Sequence, residues 1–263
     1  MAHPADIMVI LPTLGERLDT LEQALLSVQR QRQDVSLRLI VVVPAGKSAA
    51  IALARQFDAD IIEDHGGGMS AAINQALAAR QGETWSIWLG DDDQYRPGGL
   101  KTLLDLASSN PDAVVVYGGC DYVDSSGSTV WTSRAGWLAS ALVGFGPNLI
   151  PHPAALIRLD ALEAVGGYDP SLSLVMDLDV FLRLKRRGRF AWTTKTVSAF
   201  GWHPESLTVS DRKKSAAEAR SVKRRHLPPA LRIVEPLWEY PVQWASALAA
   251  HRVNQRSHEG SAG

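Results

Sequence analysis

The sequence predicts an α/β fold: a mostly parallel central sheet flanked by helices, with a small antiparallel part in its second half and a helical tail. Three observations predict it. Short β-branched apolar runs alternate with helical patterns of about 10–15 residues through the first half, as in repeated strand–helix–strand units. The run Leu37-Arg38-Leu39-Ile40-Val41-Val42-Val43 is almost wholly apolar, as befits a strand covered on both faces. The chain has 263 residues, 46% hydrophobic and 21% charged, which suits one α/β domain with a short appendage and a sizeable core.

The elements follow in order. Ile7-Met8-Val9-Ile10-Leu11 is the first strand, and residues 18–32 repeat apolar side chains at helical spacing through Leu18, Leu21, Leu25 and Val28. Residues 37–43 form the second strand and 48–57 the second helix; Asp60-Ile61-Ile62 reads as a short third strand. Residues 69–80 are a third helix, Trp85-Ser86-Ile87-Trp88-Leu89 a buried fourth strand, and 100–109 a helix opened by Pro97-Gly98-Gly99. Ala113-Val114-Val115-Val116-Tyr117 is a fifth strand.

Beyond Tyr117 the character changes. Cys120-Asp121-Tyr122-Val123-Asp124 and Thr129-Val130-Trp131-Thr132 flank Ser125-Ser126-Gly127-Ser128, a hairpin signal. A loop over 144–153, a helix around 160–165, the turn Gly166-Gly167-Tyr168-Asp169-Pro170 and a helix over 177–187 follow. From Asp211 the chain turns basic, with Arg212, Lys213, Lys214, Arg220, Lys223, Arg224 and Arg225 against Asp211 and Glu218. Residues 231–253 then carry Trp238, Tyr240 and Trp244. Such a tail can lie on an anionic membrane face, or be a charged helix followed by one packed on the core, which is the favoured reading. The last five residues, 259–263, are expected to be disordered. The divisions are thus 1–117, 118–210 and 211–263.

Several classes drop out. A net charge of -1 argues against a nucleic-acid binder. Cys120 is the only cysteine, so no internal disulfide forms, in keeping with a reducing compartment. No basic leader precedes the first strand, and no apolar run reaches the length of a membrane span. These features predict a cytoplasmic protein; on the membrane reading of the tail it would also make peripheral contact with the inner membrane face.

The chemistry concentrates in Gly90-Asp91-Asp92-Asp93, directly behind the fourth strand. Adjacent carboxylates are costly unless something positive sits among them. The carboxyl edge of an open α/β sheet is also where ligands bind. Hard cations such as Mg²⁺ or Mn²⁺ take carboxylate oxygens and share them with substrate phosphates. The cluster therefore reads as a metal–diphosphate site, against the plainer reading of a surface turn that caps the next helix.

Four blocks in order resemble the inverting glycosyltransferases of family two, with the Rossmann-like GT-A nucleotide-diphospho-sugar fold, over roughly residues 7–206. They are Ile10-Leu11-Pro12-Thr13 with Leu21, Ala24, Leu25, Ser27 and Val28; Gly68-Met69-Ser70-Ala71-Ala72-Ile73-Asn74; Leu89-Gly90-Asp91-Asp92-Asp93 with Pro97; and Gly166-Gly167-Tyr168-Asp169 followed by Asp177-Leu178-Asp179-Val180-Phe181-Leu182-Arg183. The resemblance implies that Pro12, Thr13, Glu16, Gly68, Asn74, Asp91 and Asp92 contact the nucleotide-sugar. It implies a Mn²⁺ or Mg²⁺ ion on Asp92, Asp93 and His203, and Asp177 as the general base that takes the acceptor proton. By the same comparison His152 faces the acceptor region. The implied reaction moves a hexosyl or deoxyhexosyl unit from a UDP or dTDP donor to a hydroxyl of a saccharide, lipid-linked or small-molecule acceptor, in polysaccharide, glycolipid or glycoconjugate synthesis.

Two positions depart from the family pattern. After the second strand, Val43-Pro44-Ala45-Gly46-Lys47-Ser48 lacks the usual base-binding carboxylate, which keeps dTDP beside UDP as the donor. Met176 replaces an acidic residue before Asp177, so like-charge pressure on the base is expected to be smaller. The rival readings are a sugar-nucleotidyltransferase and a non-catalytic nucleotide- or glycan-binding module. The first normally needs a Gly-rich basic loop where Pro12-Thr13-Leu14-Gly15-Glu16-Arg17 has one glycine. Intact Asp92 and Asp177 count against the second. Gly66-Gly67-Gly68 lacks the spacing of a phosphate loop and reads as a flexible entry to the third helix.

Overall fold

The computed structural model describes residues 5–134, 136–202, 212–234 and Leu237. One sheet organises them. β1 (Ile7–Pro12) lies between β2 (Leu37–Pro44) and β4 (Trp85–Trp88), parallel to both, and β3 (Asp60–Asp64) extends the parallel set beyond β2. On the other side β8 (Ala155–Arg158) runs antiparallel between β4 and the long β6 (Ala113–Val123). β9 (Arg189–Gly201) lies parallel to β6, the two-residue β5 (Gln94–Tyr95) pairs on β9, and β7 (Thr129–Ser133) forms a hairpin with β6. The spatial order is β3-β2-β1-β4-β8-β6-β9-β5, with β7 paired to β6 off that path.

Strand alternation explains why both faces need cover. Ile7, Val9 and Leu11 enter one apolar cluster and Met8 and Ile10 the other, because successive Cβ atoms leave a strand on opposite sides. Helices α1 (Leu18–Gln31), α2 (Ser48–Arg55) and α4 (Gly99–Ser108) cover the first face through Leu21, Leu25, Ala54 and Leu103. The second face is covered by α3 (Met69–Leu77), α5 (Trp137–Leu142), α6 (Leu159–Ala164), α7 (Met176–Leu184) and α8 (Arg212–His226). A short α9 (Leu231–Val234) follows.

The expected α/β architecture and its antiparallel second part are present. The expected fifth strand and the first strand of the hairpin are one continuous 11-residue β6. Several elements went unassigned in the sequence: the short β5 and α5, and also β8 and β9. β8 has only four residues, too few for a periodicity to register. The 13-residue β9 mixes exposed Thr and Lys with a buried end at Val197, Ser198 and Ala199, so no single alternation runs its length. The basic stretch forms α8 and packs on α7, burying Val222. The aromatic residues Trp238, Tyr240 and Trp244, and the expected disorder of 259–263, lie outside the described residues.

α4 reaches β9 only because its first residue has no side chain. A Cβ on Gly99 would sit 2.1 Å from the backbone oxygen of Val197. Gly99→Ala is therefore expected to push helix and strand apart and lower unfolding stability by about 2–3 kcal/mol, read by urea denaturation.

Candidate functional site

Parallel pairing of β1 with β4 sets their carboxyl ends side by side, with Ile10 beside Trp88 and Leu89 N–H donating to Ile10 O at 2.9 Å. The loop after β1 thereby meets the acidic turn after β4. Thr13 Oγ1 donates to Asp91 Oδ2 at 2.6 Å. Arg17, just ahead of α1, reaches over that loop with one Nη on Asp91 Oδ1 and the other on Asp92 Oδ2, the latter at 3.1 Å. Burial pushes the Asp91 carboxyl above its ordinary range and Asp92 adds to the push, while Thr13 and Arg17 oppose it. Gly90 makes room for the turn: a Cβ there would lie 2.9 Å from both Asp92 Oδ1 and Asp93 Oδ2.

Asp93 turns inward and is 1% exposed. Its Oδ1 accepts the Gly201 N–H at the end of β9 at 3.0 Å. Its Oδ2 lies 3.0 Å from His152 Nε2 and also accepts the Gly90 N–H at 3.3 Å. The His152 ring stacks on Trp88 with centroids 3.7 Å apart and planes 5° from parallel, and meets Phe200 edge-on at 5.6 Å. His152 opens a single 3₁₀ turn, His152–Ala154, which packs against β4, β6 and β9. The carboxylate thus ties three segments that are distant in sequence.

Asp177 lies in the first turn of α7, where the helix dipole favours a carboxylate. Asn148 Nδ2 donates to its Oδ2 at 2.9 Å, and Leu178 N–H to its Oδ1 at 2.8 Å. Burial nevertheless raises its pKa; the nearby His152 and these hydrogen bonds work against the rise. The upward shift therefore has burial as its main source, with no acidic neighbour at Met176 to add to it. The sulfur of Met176 instead accepts the Ser70 hydroxyl at 3.0 Å.

α8 holds this helix in place. Glu218 accepts the backbone N–H groups of Ser173, Leu174 and Val175 at 2.9, 2.8 and 3.1 Å, just ahead of Asp177. His226 Nε2 lies 3.1 Å from Asp179 Oδ1, whose other oxygen takes Arg183 Nε at 2.8 Å. Burial alone would raise the Asp179 carboxyl, but His226 and Arg183 more than offset it and hold the pKa below the ordinary value.

The sequence-derived residues divide accordingly. Thr13, Asp91 and Asp92 come together at the sheet edge, with Pro12 beneath them at the end of β1. Glu16 is exposed and pairs with Lys47 at 3.3 Å. Gly68 precedes α3 at a φ of 86°. Asn74 engages the chain itself: its Nδ2 donates to Tyr168 O at 2.7 Å and its Oδ1 accepts Tyr168 N–H at 2.9 Å, bracing α3 against the Gly166-Gly167 turn. Asp93, grouped with Asp92 as a metal ligand from sequence, engages both oxygens internally. His203 lies outside the described residues. Sequence reasoning passed over Arg17, Asn148, Glu218 and Gly201. Arg17 had one signal, a guanidinium in a loop that must face an acidic turn.

The donor set suits a hard cation shared with phosphate. Among the described residues no three His, Cys, Asp or Glu side chains form a metal-holding group. A partly exposed Asp92 beside Asp91 supplies the one or two carboxylates that Mg²⁺ or Mn²⁺ needs when substrate oxygens complete the shell.

Comparison with known proteins agrees with this fold. The model of the family described as "Glycosyl transferase family 2" matches residues 8–164, a span that holds the acidic turn and His152 and stops before Asp177. An uncharacterized glycosyltransferase of Rickettsia bellii is 24% identical over 149 residues, covering 54% of this chain and 21% of its own length. The succinoglycan biosynthesis protein ExoA of Rhizobium meliloti is 26% identical over 196 residues, covering 68% of this chain and 58% of its own. Among solved structures, S. aureus TarS 1-349 in complex with UDP-GlcNAc superposes with a TM-score of 0.65 at 14% identity, covering 86% of this chain and 69% of that one. The mannosyltransferase PcManGT from Pyrobaculum calidifontis, in complex with GDP-Man and Mn²⁺, gives 0.67 at 16% identity, covering 99% and 81%. The fold is theirs.

Glu218 is the most consequential of the residues missed from sequence. Glu218→Ala strips three N–H groups of their acceptor and is expected to cost about 1–3 kcal/mol of stability, read by chemical denaturation. Glu218→Gln, which keeps one carbonyl oxygen, should lose less.

Proposed function

Because this chain belongs to glycosyl transferase family 2, we propose that it moves a sugar from a nucleoside-diphosphate donor to an acceptor hydroxyl with inversion at the anomeric carbon. One observation supports the reading above others. The Asp91-Asp92 edge and the base candidate Asp177 are joined through Asp93, His152 and the segment carrying Asn148, so donor-side and acceptor-side carboxylates belong to one connected site.

In this reading Asp92, with Asp91 beside it, holds the cation, and His203 is a further ligand. A Mn²⁺ or Mg²⁺ ion bound there would stabilise the charge gathering on the diphosphate as the glycosidic C–O bond breaks. Thr13 and Arg17 keep Asp91 ionised and fixed. Asp93 holds His152 and the end of β9 in place, with its own oxygens turned away from the donor. Asp177 takes the proton of the acceptor hydroxyl as that oxygen attacks the anomeric carbon on the face opposite the leaving group. The Asn148 amide keeps its Oδ2 oriented.

We take the donor to be a UDP- or dTDP-sugar, the missing base-binding carboxylate after β2 keeping dTDP beside UDP; of the solved relatives one carries UDP-GlcNAc and another GDP-Man. Near the end of β2 the neighbouring acid is Asp64, aligned with Pro44, and its Oδ1 accepts the Gly66 N–H at 2.8 Å. The likeness to a succinoglycan biosynthesis protein supports a place in polysaccharide or glycoconjugate assembly.

A nucleotide-sugar screen by thermal shift with Mn²⁺ tests the assignment. The cognate donor is expected to stabilise the protein only when metal is present, and Asp92→Ala should abolish that dependence. Asp177→Asn should retain donor binding and lose about 10²–10⁴-fold in transfer rate; full turnover would refute the base role. The pH profile has a definite sign. Asp177 works ionised and its pKa is raised, so kcat should fall with acid at a higher pH than an ordinary aspartate dictates. Asn148→Ala removes a hydrogen bond to the ionised form, so that limb should move to still higher pH.

A further inference from the structure

α5 shows water an apolar face. Trp137 is 59% exposed, Leu138 42% and Leu142 38%, while Ala139 and Val143 turn into the core. Trp192 on β9, 41% exposed, continues the face: a Cβ on Gly136, just ahead of α5, would stand 3.3 Å from its ring. A helix serving only to cover the core would bury such residues or replace them outward with charge. Large apolar side chains gathered on one exposed patch mark a surface that meets something else.

The surroundings indicate what that is. Residues 125–159 contain no Asp or Glu, and neither do residues 180–204. Arg134 lies immediately before α5, and Lys185 Nζ donates to the carbonyl of Ser140 within it. Neither of these two cations has a carboxylate within ion-pair distance among the described residues. Trp and Leu on one face with unpaired Lys and Arg at its rim are the composition of a surface that lies in the headgroup layer of an anionic bilayer. A second copy of the chain fits worse, because a two-fold contact would press this cationic rim against itself.

We infer that the face made by Trp137, Leu138, Leu142 and Trp192 seats this protein on an anionic membrane, with Arg134 and Lys185 meeting lipid phosphates. The contact differs from one made by the basic tail, whose helix α8 is engaged with α7 through Val222, Glu218 and His226. A consequence for acceptor choice rests on the proposed base: six residues beyond Leu142, Asn148 touches Asp177, so a lipid-borne hydroxyl would arrive on the base side. The membrane contact itself stands apart from that reading, and its test reads binding alone.

The full chain is sedimented with phosphatidylcholine vesicles containing roughly one-third phosphatidylglycerol, and with phosphatidylcholine alone. Binding is expected to the anionic vesicles and to weaken as salt rises from about 0.1 M to about 0.5 M. Leu138→Gln with Leu142→Gln should lower partitioning about tenfold or more, and Arg134→Glu with Lys185→Glu should do so chiefly at low salt. Unchanged thermal midpoints certify the fold of both pairs; the single Trp137→Ser stands in for a pair that fails this control. Absence of wild-type binding overturns the inference, as does binding indifferent to every one of these substitutions. Lipid-free self-association abolished by Leu138→Gln with Leu142→Gln would assign the face to a second copy and overturn it equally.

Discussion

The structure turns on one electrostatic constraint: three consecutive carboxylates occupy a single tight turn at the edge of a buried strand. Left to themselves they would repel one another and take up protons. Each is given a different remedy. Asp91 is met by the Thr13 hydroxyl and the Arg17 guanidinium, Asp92 shares that guanidinium, and Asp93 is drawn inward to Gly201 N–H and His152. The partners come from the loop after β1, the end of β9 and the 3₁₀ turn before β8. Satisfying the turn therefore fixes the relative positions of the segments that line the site.

The acceptor side follows from the same economy of partners. Asp177 and Asp179 stand two residues apart on one helix, yet their environments move them in opposite directions. Burial pushes Asp177 up, with a neutral amide as its side-chain donor. Asp179 has a guanidinium and an imidazole within hydrogen-bond distance and is held down. A carboxyl whose charged form is disfavoured and one whose charged form is favoured are thereby separated by environment alone. The second belongs to the scaffold, because its partner His226 comes from α8, the helix that also supplies Glu218 to the backbone ahead of α7.

Legibility in the sequence followed how local each signal was. The strands β1, β2 and β4 and the helices α1 to α4 were readable because β-branched runs and helical spacing are properties of a dozen neighbouring residues. The acidic turn was readable because three charges in a row are conspicuous. β8 was too short to show a period, and β6 hid as two strands because Gly118-Gly119 interrupts its apolar run. Asn74 illustrates the opposite failure. An amide in a small-residue helix looked available for a ligand, yet both its polar atoms go to Tyr168, 94 residues away. Glu218 could not be read at all, since its value lies in three N–H groups more than 40 residues upstream.

His152 is where these arguments meet. Its Nε2 hydrogen bond goes to the most deeply buried carboxylate of the acidic turn, its ring is clamped flat on Trp88, and its charge state is felt by Asp177. A ring fixed by stacking on one side and a carboxylate on the other has little freedom to follow a substrate. Its position is dictated by the folded sheet, so the distance between the acidic turn and α7 is set by the fold. In the proposed reaction, preorganisation of that kind would remove a reorganisation cost, and it would come from residues that need never touch the sugar.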